Sequence, residues 1–311
     1  MRRILSILAA LGLSVATVAV VSADAAGVGN IRDDAAMSDK ITAAVSGFAA
    51  LAGDEAYEGW LVSDDGSEKP SLGIWALDAS GAGTFTYTSP TGENLLGKYN
   101  KLVVTVEPIP GADPGPSAVV SAKDEIPLGS MAHTRHVLFA WPPTPGLVGL
   151  AVGQRSQAEA ASLHANLSNT AAQAGDLAGA QTYAEHVVNI IEGDSGANFG
   201  DVDGNGTTEN PGNTYGQFTY AADTAQHANL AMNATGADVE VLLHGQHVVD
   251  ASTNVTTWAT EARDNALKVA GTSDPRQRPN LRRDDGAGGQ GRARGCGCQH
   301  QWRPGRISYA R

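Results

Sequence analysis

The hydrophobic pattern of this chain changes its period near residue 129, and no other feature constrains the fold as strongly. Before that point, short β-type runs alternate with turn residues; after it, small and aliphatic residues recur at three- and four-residue steps. Such patterning predicts an α+β multidomain protein, an antiparallel β-sandwich followed by a four-helix-type bundle. The 311 residues are enough for each half to bury a core of its own. The expected divisions are a signal peptide over residues 1–25, the sandwich over 28–128, a helical domain over 129–271 and a tail over 272–311.

The first segment reads as an export signal. Met1-Arg2-Arg3 supplies a basic start, Ile4 to Val21 an almost uncharged apolar run, and Val21-Ser22-Ala23 and Ala23-Asp24-Ala25 two small-residue cleavage sites. The mature chain is then expected to begin near Asp24 or Ala26, secreted or in a bacterial cell envelope, with no membrane contact after cleavage. The rival reading keeps Ile4–Val21 as an anchor, since the run is at the lower length limit for a span. Residues 275–311 carry nine Arg against two Asp, whereas the rest of the chain has 12 basic and 31 acidic side chains. An acidic body disfavours nucleic acid and anionic membrane as partners. The two cysteines, Cys296 and Cys298, both lie in the tail, so no disulfide framework holds the body.

Tyr57–Val62, Leu72–Leu77, Thr84–Thr88 and Lys101–Val106 are the clearest strands, each cut off by Asp, Gly, Ser or Pro. Ile41–Leu51 fits either a strand or a short helix. Three of these stretches carry a resemblance: Tyr57-Glu58-Gly59-Trp60-Leu61-Val62, Ser71-Leu72-Gly73-Ile74 and Val104-Thr105-Val106-Glu107-Pro108. With the Pro- and Ser-containing loop Asp113–Ser117, they resemble the C-terminal, extracytoplasmic domain of anti-sigma-K factors. That resemblance implies a β-sandwich outside the membrane with a sensory or interaction role. An anti-sigma factor of that family has a sigma-binding domain ahead of its membrane helix, and here only Met1-Arg2-Arg3 precedes the apolar run, so sigma-factor inhibition is not carried over. The helical half is similar to uncharacterised secreted bacterial proteins that append helices to such a domain.

In that half, His133–Trp141 forms a compact apolar element stopped by Pro142-Pro143. Residues 149–173 predict a helix whose packing face is Ala160, Leu163, Leu167 and Thr170. Gly175 breaks it and Asp176 caps the next, which buries Leu177, Ala180, Ala184, Val187 and Ile191 and ends at Gly193. A last helix spans about Val255 to Val269, with Val255, Trp258, Ala262 and Val269 at helical spacing. Leu163–Leu167 recurs weakly as Gln226–Leu230, and His186-Val187-Val188 as His247-Val248-Val249, the trace of two related helical hairpins.

The best ligand pattern is Asp201-Val202-Asp203-Gly204-Asn205-Gly206-Thr207-Thr208-Glu209. Oxygens at alternate positions with a glycine at the sixth suit a hard Ca²⁺ ion. Asp201, Asp203, Asn205, Thr207 and Glu209 are therefore the candidate ligands, of a structural Ca²⁺. The loop resembles those of EF-hand and dockerin modules but has Gly212 where the bidentate carboxylate belongs, with Asp194 as a replacement from outside. The plain alternative is a solvated Asp/Gly turn.

Seven histidines of the body (His133, His136, His164, His186, His227, His244 and His247) raise haem or a transition metal as an alternative. The spacing argues against it: His164 and His186 stand one step off their apolar stripes, flanking the seam. His133/His136 and His244/His247 have the separation to chelate on one helix, although such pairs are commonly surface residues. Gly193-Asp194-Ser195-Gly196 resembles a serine-protease nucleophile segment but lacks its partners. No other pattern singles out an acid and a base, so no enzyme is expected. The Arg/Gly tail is expected to be disordered, or a frameshifted end. The first reading is an exported, non-catalytic envelope protein whose partner is a protein or envelope ligand of unknown identity. A membrane-anchored component of anti-sigma-type signalling is the remaining alternative.

Overall fold

The computed structural model describes residues 25–32, 36–109, 115–273 and 307–310. They fall into two compact units. One is built on the chain up to Met131 together with Ala234–Leu242 and the C-terminal strand, the other on Ala132–Asn233 and the chain from Leu243. The signal segment and most of the Arg/Gly tail lie outside the described residues.

The first unit holds β1 (Ala26–Arg32), β2 (Lys40–Ser46), β3 (Glu55–Ser63), β4 (Ser71–Trp75), β5 (Gly83–Thr88), β6 (Tyr99–Pro108), β7 (Val120–Glu125) and β8 (Ile307–Ala310). They make two four-stranded antiparallel sheets, ordered β5-β2-β1-β8 and β4-β3-β6-β7. One cluster joins them: Ala43 of β2 and Phe48 just after it are buried with Tyr57, Trp75, Val104 and Ala122 of the other sheet. This is the sandwich the short-strand pattern predicts. The Trp75 ring lies flat on Phe85 with centroids 4.4 Å apart, tying β4 to β5. Its edge also lies over Gly59, where a Cβ would come within 2.5 Å of the indole. Only glycine leaves room there, and the β3–β4 register shifts at that point. The ambiguous segment after Ile41 resolves as strand β2. β1, β7 and β8 are strands without a strong sequence signal, and β8 falls where no packed element is expected.

The residues that carry the family resemblance are joined by a buried polar chain. Trp60 Nε1 donates to Thr105 Oγ1 at 2.8 Å, Thr105 Oγ1 donates to Glu107, and the Ser117 backbone N–H donates to Glu107 at 2.8 Å. Thr105 is fully buried and Glu107 nearly so. A buried carboxylate needs such donors, and here they fasten the end of the Pro-containing loop to β6.

The helices are α1 (Leu128–Leu138), α2 (Leu150–Ala174), α3 (Leu177–Glu192), α4 (Gln217–Met232) and α5 (Val239–Ala270). The described residues thus hold five helices. Asp176 caps α3 by accepting from the Gly179 N–H, and Gly175 closes α2 in a left-handed turn. The α3 stripe packs as its spacing predicts, with Ala180, Ala184, Val187 and Ile191 buried. Two expected faces are rotated. On α2 the buried side is Gly153, Gln154, Gln157, Ala161 and Ser168, while Leu163 is 57% exposed. On α5, which starts at Val239 and not near Val255, Ser252, Ala259 and Ala266 are buried and Trp258 is 64% exposed, while Val269 of the expected face is buried as its spacing predicts. In an Ala-rich chain, close approach favours the small residues, so Leu163 and Trp258 are displaced to the rim while Leu150 and Val269 stay buried near the helix ends. Between α2, α3 and α5 this leaves an Ala-lined cleft of ≈ 300 Å³ with Trp258 at its edge.

α5 is held to α3 by a nearly buried ion pair. Arg263 Nη1 donates to Glu192 Oε1 at 2.8 Å, Asn198 donates to the same oxygen at 2.8 Å, and the guanidinium lies 5.4 Å from the Phe218 ring centre. Burial alone would raise the Glu192 pKa, but the bonds from Arg263 and Asn198 outweigh it and hold the carboxyl below its ordinary value. A depressed carboxylate pKa stabilises the fold above the unfolded value and loses that contribution as pH falls through the folded one. Arg263→Met, which leaves Glu192 without its cation, is expected to cost about 1.5–3 kcal/mol at pH 7, the value of a hydrogen bond to a charged group. The difference should shrink as pH falls through the depressed folded pKa of Glu192, where the carboxyl becomes protonated in the parent as well. Urea unfolding in a series from pH 7 down through the acid range checks this, and a pH-independent cost would assign the effect to lost packing on Phe218. Among the described residues no helix is long and apolar enough to cross a membrane.

Candidate metal centre

The Asp/Gly loop leaves the end of α3 and returns at the start of α4. Its neck is closed by the Asp194 N–H donating to the Thr214 carbonyl at 2.9 Å. Two fully buried polar residues of α3, Glu185 and Asn189, hold its middle. Glu185 Oε2 accepts from the Val202 N–H at 2.7 Å and the Asp203 N–H at 3.1 Å, and Oε1 accepts from the Glu209 N–H at 2.8 Å. One turn further along, Asn189 binds both backbone groups of Gly200 and the carbonyl of Glu209. The spacing of four places both side chains on the loop-facing side of α3.

Of the five predicted ligands, Asp201 and Asp203 come together, joined by Glu185, with one oxygen from each within 4.8 Å of the others. Asn205 is adjacent, its side-chain amide donating to Asp203 Oδ2 at 2.9 Å. Its Oδ1 accepts from the Thr207 N–H at 2.8 Å, and Asp201 Oδ2 accepts from the Gly206 N–H at 2.9 Å. The Glu209 carboxylate points elsewhere, 3.0 Å from His186 Nε2. The third carboxylate beside Asp201 and Asp203 is thus Glu185. Burial would raise the Asp203 pKa, but donation from the Asn205 N–H and the Thr182 hydroxyl outweighs it and holds the carboxyl below its usual value. This set is all-oxygen, acidic and partly preformed, which suits a hard divalent cation.

The seven histidines of the body fall into three groups, of which the His244/His247 pair stays on α5. His164 and His186 lie one on α2 and one on α3, with Nδ1 atoms 3.0 Å apart. His186 spends its other nitrogen on Glu209, so the three residues form a line and do not converge. Burial, reinforced by His186, holds the His164 pKa below the ordinary histidine value.

The second group does converge. His133 and His136 of α1 and His227 of α4 gather within 4.8 Å. Their Nδ1 atoms meet at His227, 3.1 Å from His133 and 3.2 Å from His136. Trp141 packs on two of the rings, with centroids 4.5 Å from His136 and 4.4 Å from His227. The indole is held in turn, donating to the Tyr215 hydroxyl at 3.3 Å, which donates to Asp223. Burial and the Asp223 carboxylate push that hydroxyl up to about 12, so it stays a donor. Burial, then the neighbouring imidazoles, hold His136 and His227 below the ordinary histidine value.

Sequence spacing could pair His133 with His136 on one helix, but nothing in it brings His227 to them. The weak repeat matches His227 to His164 and His247 to His186, yet His247 faces His244, ring centroids 5.7 Å apart, and not His227. The two hairpins therefore use their histidines differently. Glu185 was equally hidden, because nothing in its neighbours Ala184 and His186 marks it as a partner of the loop.

Comparison with curated proteins finds no match, and neither does comparison with solved structures. A family model described as the C-terminal region of the anti-sigma-K factor RskA matches residues 7–120, beginning inside the apolar N-terminal run and ending at the start of β7. The β-sandwich unit thus resembles the C-terminal domain of anti-sigma-K factors, on a match that spans about a third of the chain.

Proposed function

We propose that this protein is an exported, non-catalytic module of the cell envelope: an anti-sigma-K-type sandwich that receives a protein or envelope ligand, joined to a helical unit whose Asp/Gly loop is stabilised by Ca²⁺. The observation that carries this reading is the family match over the sandwich. That domain belongs to regulatory proteins, and in them it lies outside the membrane, where Ca²⁺ is plentiful. The grouping of Asp201, Asp203 and Glu185 supports the calcium part. Three carboxylates held this close repel one another, and a divalent cation cancels that repulsion.

At Ca²⁺ about 100 times Kd, binding adds about 2.7 kcal/mol. For a unit of this size the melting temperature rises by roughly 5–10 °C. Calorimetry of the chelator-treated full chain, with and without Ca²⁺, measures it, and Asp201→Ala is expected to abolish the rise. No Ca²⁺-dependent shift in the parent would reduce the loop to a hydrogen-bonded turn. Mass spectrometry of the exported chain tests the location: a start near Asp24 or Ala26 supports release. An intact Ile4–Val21 would instead support a membrane-anchored component of anti-sigma-type signalling.

A further inference from the structure

From the convergence of three ring nitrogens we infer that His133, His136 and His227 form a binding site for a first-row divalent transition metal ion, with Zn²⁺ as its simplest occupant. The site is separate from the Asp/Gly loop and does not depend on the calcium reading.

Three features carry it. The first is distance. Metal–nitrogen bonds of about 2.0–2.1 Å at tetrahedral angles place the nitrogens about 3.3 Å apart. The His227 Nδ1 atom lies 3.1 Å and 3.2 Å from its two partners. The second is valence. An imidazole nitrogen has one in-plane direction, used either by a proton or by a lone pair. His227 Nδ1 faces two ring nitrogens at hydrogen-bonding distance, and one direction cannot be aimed well at both. A single cation placed among the three nitrogens accepts a lone pair from each. The third is support. Trp141 packs on His136 and His227, and is itself tied to Tyr215 and Asp223. Ligand rings fixed by such outer contacts bind without first being ordered.

The donor set also selects the ion. Imidazole nitrogens suit Zn²⁺, Cu²⁺ and Ni²⁺, whereas Ca²⁺ and Mg²⁺ require oxygens. Among the described residues no fourth His, Cys, Asp or Glu joins the group. Three protein ligands leave a coordination position for water or an external donor.

The test is a competitive titration of the chelator-stripped full chain with Zn²⁺ against a chromophoric chelator, repeated with Co²⁺ for its visible spectrum. Both use the Cys296→Ser/Cys298→Ser background, which removes the tail thiols as a rival site. One equivalent of Zn²⁺ and an intense tetrahedral-type Co²⁺ absorption are expected. His227→Ala, and separately His133→Ala, should each weaken Zn²⁺ by at least about 100-fold, since even outer-shell partners of a metal site cost about 10–100-fold. His244→Ala/His247→Ala should leave binding unchanged. His227 is buried, so circular dichroism must show that its variant folds, and His133, which is less enclosed, serves if it does not. Quenching of Trp141 fluorescence by Cu²⁺, lost in Trp141→Phe, would place the ion beside the indole. Failure of the parent to bind Zn²⁺ below about 100 μM, or unchanged affinity in both His133→Ala and His227→Ala, overturns the proposal; no structural-site function survives affinities that weak.

Discussion

Replacing Glu185 by Ala is expected to release the Asp/Gly loop from α3 and to cost roughly 3–4 kcal/mol in urea unfolding, since hydrogen bonds to a charged acceptor contribute about 1.5–3 kcal/mol each and do not add fully. Three backbone N–H groups, of Val202, Asp203 and Glu209, lose their acceptor at once. Asn189 would still hold Gly200 and the Glu209 carbonyl, which keeps the loss below the simple sum. Glu185→Gln keeps one acceptor oxygen and should cost about half as much. Hydrogen exchange at the three amides gives the local readout, and they should become the fastest-exchanging of the loop. If stability falls by less than about 1 kcal/mol and these amides stay protected, the loop is shaped by its own Asx turns through Asp203 and Asn205. Because Glu185 also stands beside Asp201 and Asp203, the same variant should lose the Ca²⁺-dependent rise in melting temperature.

The second large effect is expected at the neck of that loop, where the chain crosses itself at two glycines. Gly193 follows α3 with φ 65°, and Gly216 precedes α4 with φ 75°. A Cβ on Gly216 would lie 2.5 Å from the Gly193 nitrogen, and one on Gly193 would lie 2.7 Å from the Gly216 nitrogen. These neighbours are backbone atoms, which cannot swing aside as a side chain can. At φ 65° with ψ 173° and φ 75° with ψ 153°, a backbone that essentially only glycine adopts, an L-residue costs about 1–3 kcal/mol, and forced overlap in a packed region adds about 1–3 kcal/mol. Gly193→Ala and Gly216→Ala should therefore each cost about 3–4 kcal/mol. Gly204→Ala is the control, because its φ of 73° is similar and nothing lies within 4 Å of its Cβ position. It should cost about 1 kcal/mol, the conformational part alone. Equal losses at Gly204 and Gly216 would mean that the crossing contributes nothing beyond backbone conformation.

Both predictions concern residues whose roles were unequally legible. Asp176, Gly175 and the α3 stripe declare themselves locally, because caps and periodic apolar residues act within one or two turns. The Asp/Gly loop was visible as a ligand pattern, but its third carboxylate was not: Glu185 lies sixteen residues before Asp201, outside the loop pattern, and joins it only because the loop folds back on α3. The faces of α2 and α5 were misread for a different reason. Apolar periodicity assumes that the largest hydrophobic residues are buried, whereas along most of their length these helices bury Gly, Ala, Ser and Gln, keep Leu150 and Val269 inside at their ends, and leave Leu163 and Trp258 outside.

The order of short strands before helices, the antiparallel sandwich and the resemblance of the stretches holding Trp60, Thr105 and Glu107 to a known domain were determined by the sequence itself. Each rests on local patterning or on a contiguous motif. The tertiary structure alone decided which histidines meet. His227 lies 94 and 91 residues from His133 and His136, and only the placement of α4 against α1 turns a surface-type pair and a repeat remnant into three converging nitrogens. Periodicity records how a residue faces its own helix axis. It carries no information about which other helix arrives there.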